Sequence, residues 1–497
     1  MTLNKNRIRV NDKHSVSKPT IVWFQQDFRL EDNPAILAAI SRKAPIIPLY
    51  IWSPDQEWRP GEASKVWLHH SLLALKEELN AVGSSLIIKS GESKSVLSSL
   101  IEEMGAGALF WNRRYEPFAV RRDAGIEKEL TKKNAIEIKS FNASLLYEPW
   151  EILQKNGKPY QVFTAFWHAC AQYGEPIEPL KAPRFLLKPD RWPSSMTVEE
   201  LVLLPSIPWD KHILEFWQTS AGAAKRRLKH FIVKSLSDYS LGRDRPDLDC
   251  VSYLSPYLHL GQLSPRQIYY SVKQATVGMK NKQFISSADT YLKELGWREF
   301  AYHLLYHFPE TAGQPLREQY KKFPWRPNET YLDAWQKGRT GYPIVDAGMR
   351  QLWKYGWMHN RVRMIVASFL VKDLLIPWQS GAQWFWDTLI DADLANNTLG
   401  WQWTAGCGAD AAPYFRIFNP VRQGQKFDPE GNYIKRFIPE LCDLPIEFIH
   451  SPWLAGEDTL KKANIVLGGS YPYPIVNHAK ARLKALESWK KTKQLKE

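Results

Sequence analysis

Apolar and polar positions divide the chain into two regimes. From about residue 19 to 141, short apolar runs (TIVWF, PIIPLYIW, SSLIIKS, ALFWN and IEIKSF) alternate with segments of helical spacing such as 64–82 and 93–104. Near-continuous apolar strands separated by helices predict an α/β domain with a parallel sheet. From about residue 214 to 485 the spacing turns helical, as in AAKRRLKHFIVKSLSDYS, ADTYLKELGWREFAYHLLYH, PIVDAGMRQLWKYG and NRVRMIVASFLVKDLLI. A second, all-helical domain is expected there. Residues 142–213 carry many prolines, from Pro149 and Pro159 to Pro205 and Pro208, which forbid long helices and predict an extended interdomain connector. Residues 1–18 are polar and basic without an apolar core and read as a disordered tail, and 486–497 as a short basic tail.

Length supports two domains, since 497 residues exceed what one core usually fills. The charge of +14 fits either attraction to nucleic acid or a dispersed basic surface. No apolar run reaches spanning length, because the best candidate, 364–376, contains Lys372 and Asp373. The chain therefore reads as a cytoplasmic protein without a membrane partner. Cys170, Cys250, Cys407 and Cys442 are too far apart for a CxxC metal knuckle, so neither structural zinc nor a disulfide is expected. Neither GxGxxG after the first strand nor GxxxxGK[ST] occurs, which leaves no dinucleotide fingerprint and no P-loop.

The stretch 391–420, DADLANNTLGWQWTAGCGADAAPYFRIFNP, is the strongest candidate site. Asp391, Asp393, Asn396 and Asn397 can fix a heteroaromatic ring by its edge, and Trp401 and Trp403 offer flat faces. The small residues of TAGCGADAAP let backbone approach a ligand closely.

With LSPYLHLGQLSPRQ from Leu254, LGWREF from Leu295, TGYPIVDAGMRQL from Thr340 and GWMHNRVRMIVASFLVKDLLI from Gly356, that stretch resembles the cryptochrome/DNA photolyase family. The likeness runs from about residue 20 to 480, and IVWFQQDFRLEDNPAIL fits the family's opening strand and turn. It implies an α/β domain plus an all-helical FAD-binding domain, a U-shaped FAD, and light-driven repair of damaged DNA as a deoxyribodipyrimidine photo-lyase. A cryptochrome photoreceptor is the second reading and a flavin redox enzyme a distant third. Only about 77 residues follow Pro420, so no long signalling tail is expected, and a monomer in a bacterial cytoplasm is.

Residue by residue, the resemblance pairs Arg363 with Asp391 beside the isoalloxazine, with Asp393 close by, and sets Asn397 near N5. Tyr239 and Ser252, Tyr253, Leu254 and Ser255 match the part that binds the diphosphate through hydroxyl and backbone N–H groups. Here VSYLS replaces the more usual Thr-Ser-Arg-Leu-Ser, so Val251 loses a hydroxyl and Tyr253 a cation. Trp401, Trp378 and Trp325 match the inner, middle and outer members of an electron-carrying chain.

For the lesion, Trp297 and Trp403 match the indoles that wedge a pyrimidine dimer, and Glu294 the carboxyl that hydrogen-bonds it. Asn360, Arg361 and Met364 complete that pocket, with Arg298 and Arg416 as phosphate contacts. Enzymes that open (6-4) photoproducts place two histidines where this chain has Asn360 and Met364, while His359 sits one position early, about 100° away around a helix. A cyclobutane pyrimidine dimer (CPD) is therefore the expected substrate. An antenna pigment, methenyltetrahydrofolate or a deazaflavin, is a further expectation, with Trp52, Tyr115 and Glu116 as candidate lining. Phe118 and Ala119 stand where some folate-binding members have Asn-Glu.

Overall fold

A computed structural model describes residues 17–53, 57–133 and 136–494. The expected strands form β1 (Thr20–Phe24), β2 (Ile46–Trp52), β3 (Ile87–Ser90), β4 (Ala108–Asn112) and β5 (Glu137–Phe141), all parallel, in the order β3-β2-β1-β4-β5. Because β1, β2 and β4 are covered on both faces, almost every residue in them is buried. Crossover helices Pro34–Ser41, Glu62–Ala81, Ser93–Met104 and Pro117–Lys133 supply that cover.

Strand order reverses beside β1, which in an open α/β sheet is where a dinucleotide usually sits. Here the crevice is filled from within. Asn112 donates to Asp27 at 2.6 Å and to Asn33 at 2.8 Å, and the Arg29 guanidinium donates to the Gly261 carbonyl at 2.7 Å. Gly261, at φ +65°, lies so close to Gln26 that a Cβ would stand 2.1 Å from its carbonyl oxygen. The helical part thus docks where the missing fingerprint would have held a ligand.

Beyond the sheet the chain is helical. The Lys282–His307 helix, capped by Asn281 through the Phe284 N–H, runs through its middle and buries Leu292, Leu295, Phe300 and Leu304. Leu394–Ala405 packs against it, and Asn360–Ser368 and Trp378–Thr388 pack in turn against Leu394–Ala405. No described helix is long and apolar enough to cross a membrane.

Two expectations need correction. The connector is not wholly extended, because Phe163–Tyr173 forms a helix in its widest gap between prolines, with Phe163, Phe166 and Cys170 buried. The final helix, His478–Gln494, continues past 485, held by Ala485, Ser488 and Thr492, so 486–494 is helix rather than tail. The tail expected over 1–18 lies, apart from Ser17 and Lys18, outside the described residues.

Candidate functional site

Six helices and the loops at 251–254, 357–358 and 389–393 line a cavity of about 540 Å³ in the helical part. Tyr239, Ser252, Tyr253, Leu254, Ser255, Arg363, Asp391, Asp393, Asn397 and Trp401 all line it. So do Glu294, Trp297, Arg298, Asn360, Arg361, Met364 and Trp403. Helical spacing explains the grouping: Glu294 and Trp297 are three apart on one helix, and Asn360 and Met364 four apart on another.

The inner end is polar and fixed. Arg363 Nη2 meets Asp391 Oδ2 at 2.8 Å and Oδ1 at 3.1 Å, while its Nε donates to the Met358 carbonyl at 2.7 Å. Asp393 caps the Leu394–Ala405 helix, accepting from the Asn396 N–H at 2.8 Å and from its side chain at 2.6 Å. The Tyr302 hydroxyl also donates to Asp393, and burial together with that carboxylate holds the phenol protonated. Asn397 Nδ2 donates to the Ala382 carbonyl at 2.9 Å, which leaves Oδ1 for a ligand. Tyr253 adopts φ +54°, a left-handed backbone that a non-glycine residue rarely takes. It carries no cation itself, but the Arg227 guanidinium lies 5.2 Å over its ring.

The outer end holds partners that the sequence did not reveal. Arg243 pairs with Glu294, and Arg361 forms a two-point pair with Asp244 at 2.8 and 3.1 Å. Burial opposes the Arg243 charge, yet the hydrogen bond with Glu294 together with the nearby Tyr239, Glu294 and Asp244 outweighs it and holds the guanidinium firmly protonated. Trp297 stacks on Phe163 with ring centroids 3.8 Å apart and planes 10° from parallel.

Models of two domain families match the chain: DNA photolyase over residues 20–184 and the FAD binding domain of DNA photolyase over 291–491. A deoxyribodipyrimidine photo-lyase of Agrobacterium fabrum is 46% identical, across 96% of this chain and 98% of that one. The chain belongs to the cryptochrome/DNA photolyase family. Cryptochrome-1 of Arabidopsis thaliana is 41% identical over 93% of this chain and 69% of its own length. Among solved structures, a bacterial class III photolyase from Agrobacterium tumefaciens superposes with a TM-score of 0.93 at 45% identity, covering 96% and 98% of the two chains. An archaeal photolyase from Sulfolobus tokodaii, solved with two FAD molecules, gives 0.80 at 33% identity, covering 95% and 100%.

Membership brings the family's FAD cofactor and its light-driven DNA-repair lyase class, and the cavity suits the flavin. Its volume lies within the range of about 300–1,000 Å³ usual for ligand pockets. Carboxylate, guanidinium and amide groups converge at one end, serine hydroxyls stand at another, and the buried Trp401 Nε1 and His259 Nδ1 have no hydrogen-bond partner among the described residues.

Trp378 and Trp325 do not line the cavity. Trp378 and Trp401 are both 2% exposed in one apolar core, and Trp325 packs half-buried against the same core. Arg416 is exposed on the loop after Ala405, also away from the cavity lining. Arg298 lines the cavity but is largely buried, donating to the Ser144 carbonyl at 2.7 Å and lying 4.8 Å over the Tyr302 ring.

Nor does the Ala-Gly turn line the flavin cavity beyond Thr404. Its glycines serve close packing instead, a Cβ at Gly408 falling 2.8 Å from Gln402 Cβ. Among the antenna candidates, the Tyr115 hydroxyl donates to Glu148 at 2.8 Å and Glu116 pairs with Arg114 at 2.7 Å. Both polar groups are thus engaged inside the protein, while Trp52 ends β2 half-buried.

Proposed function

We propose that the chain is a cyclobutane pyrimidine dimer photolyase, working as a cytoplasmic monomer on damaged DNA. The observation that carries this reading is the sharing of one cavity by the flavin groups Arg363, Asp391 and Asn397 and the dimer groups Glu294, Trp297 and Trp403. A dimer flipped into that cavity would lie beside the isoalloxazine, and stacking on the two indoles, worth roughly 1–3 kcal/mol per base, offsets the cost of unstacking it from the duplex.

The Arg363–Asp391 pair and Asn397 hold the ring system, and Ser252, Ser255 and the intervening backbone hold the diphosphate. Held there by these residues and reduced, FAD would supply, on blue-light excitation, the reversible one-electron chemistry that dimer splitting needs. Glu294, steadied by Arg243, hydrogen-bonds the pyrimidine edge, while Asn360 and Met364 close the pocket without a proton donor. Trp325, Trp378 and Trp401 carry electrons inward to keep the flavin reduced, and the exposed Arg416 contacts phosphate. A folate or deazaflavin antenna would reach the cleft between sheet and helices.

His359 supports the choice of lesion. It is 2% exposed, is not among the residues that line the cavity and is neutral at physiological pH. The test is light-dependent disappearance of dimers from a defined duplex. Dimer loss that requires light supports repair, whereas dark-stable, light-insensitive dimers in the presence of reduced holoenzyme would refute it.

A further inference from the structure

Trp297 is not a free-standing indole. One of its faces is covered by Phe163, and Phe300 meets it edge-on at 5.9 Å. Phe163 is itself buried, and the Trp167 ring lies parallel to it at 6.5 Å, so three aromatic planes share one orientation. Trp167 in turn presses on the backbone beside Trp297: a Cβ at Gly296 would fall 2.6 Å from its ring.

What sets the position of Phe163 is remote in sequence. It begins its helix, and the preceding Val162 has no side chain able to cap. Its N–H, which would otherwise lack an intrahelical partner, donates to Asp410 Oδ2 at 3.2 Å. Asp410 sits at φ +45° in the Ala-Gly turn. The turn that the sequence offered as a ligand cradle is therefore tied through one hydrogen bond to the ring behind Trp297.

We propose that Phe163 is a positioning residue for lesion recognition: stacked on Trp297 and anchored by Asp410, it holds the indole face that a flipped-out dimer meets. It rests on the repair reading above. With the rear face of Trp297 taken by Phe163, only the cavity face is left for a base, and the ring cannot swing to follow undamaged DNA. Selectivity for the dimer then depends on Phe163 although it touches no nucleotide.

The experiment compares dark dissociation constants for one duplex with and without a single cyclobutane dimer, using FAD-loaded protein. Phe163→Leu should weaken binding to the damaged duplex by about threefold to tenfold, the loss of one aromatic stack. Binding to the undamaged duplex, which rests on phosphate contacts, should stay at the parent value. Phe163→Tyr should restore selectivity, Asp410→Ala should reduce it, and Asp410→Asn, which keeps an acceptor, should not. FAD content and melting temperature are recorded for each. A parent-like ratio in folded, FAD-loaded Phe163→Leu, or equal losses on both duplexes, overturns the proposal. Should that variant lose its fold, Asp410→Ala decides by the same ratio. A parent protein that binds both duplexes equally would refute the repair reading itself.

Discussion

His359 caps the Asn360–Ser368 helix by accepting the Arg361 N–H on its Nδ1 at 3.2 Å. Burial, helped by the guanidinium groups of Arg361, Arg363 and Arg243, holds its imidazole down at about 4 from an ordinary 6.5, against the pull of Asp244. An unfolded chain takes up that proton first as pH falls, so the folded state loses stability from pH 6.5 down to about 4.

His359→Asn keeps a capping acceptor without the titration. Its stability relative to the parent should improve by about 1.4 kcal/mol per pH unit on acidification through that window. Urea unfolding across the window reads this directly, and a constant difference would contradict a buried neutral imidazole.

Arg363 and Asp391 form the pair on which the flavin end depends. Asp391 is only 2% exposed at its side chain, so Arg363→Met strands a buried carboxylate at a cost of about 3 kcal/mol. The variant should bind FAD poorly, measured as flavin absorbance per chain, and melt lower. Full flavin occupancy would show that the pair does not organise the site.

Trp378 belongs to the proposed feed of electrons and not to the cavity. Trp378→Phe should abolish light-driven reduction of oxidised flavin, followed by absorbance, yet leave dimer repair intact once the flavin is reduced chemically. If chemically reduced variant binds damaged DNA normally and still fails to repair, the two roles are not separable.

Affinity for damaged duplex should fall steeply between about 50 and 200 mM salt, with a log-log slope of roughly −0.9 per phosphate neutralised. Arg416→Ala should make that slope shallower by about 1 while leaving FAD content unchanged. A slope equal to the parent's would remove Arg416 from the interface.

Much of this was legible in the sequence because local pattern and structure agree. Strands covered on both faces must be apolar throughout, so TIVWF and ALFWN announced β1 and β4. Glu294 and Trp297, or Asn360 and Met364, meet the same cavity because helical spacing sets them on one face. Contacts made across long separations were not legible. Nothing near Glu294 points to Arg243, and exposure of Arg298 cannot be read without knowing that Ser144 and Tyr302 enclose it. Phe163 does carry a local signal: Phe163, Phe166 and Trp167 keep helical spacing between the prolines of the connector.

The most direct test of substrate is to present purified reduced enzyme with two duplexes, one carrying a cyclobutane pyrimidine dimer and one a (6-4) photoproduct, under the same blue light. Asn360 and Met364 line the cavity and His359 is buried outside it, so no titratable histidine meets the lesion from this helix. The cyclobutane dimer should be repaired and the (6-4) photoproduct left intact, whereas preferential repair of the (6-4) photoproduct would contradict the account.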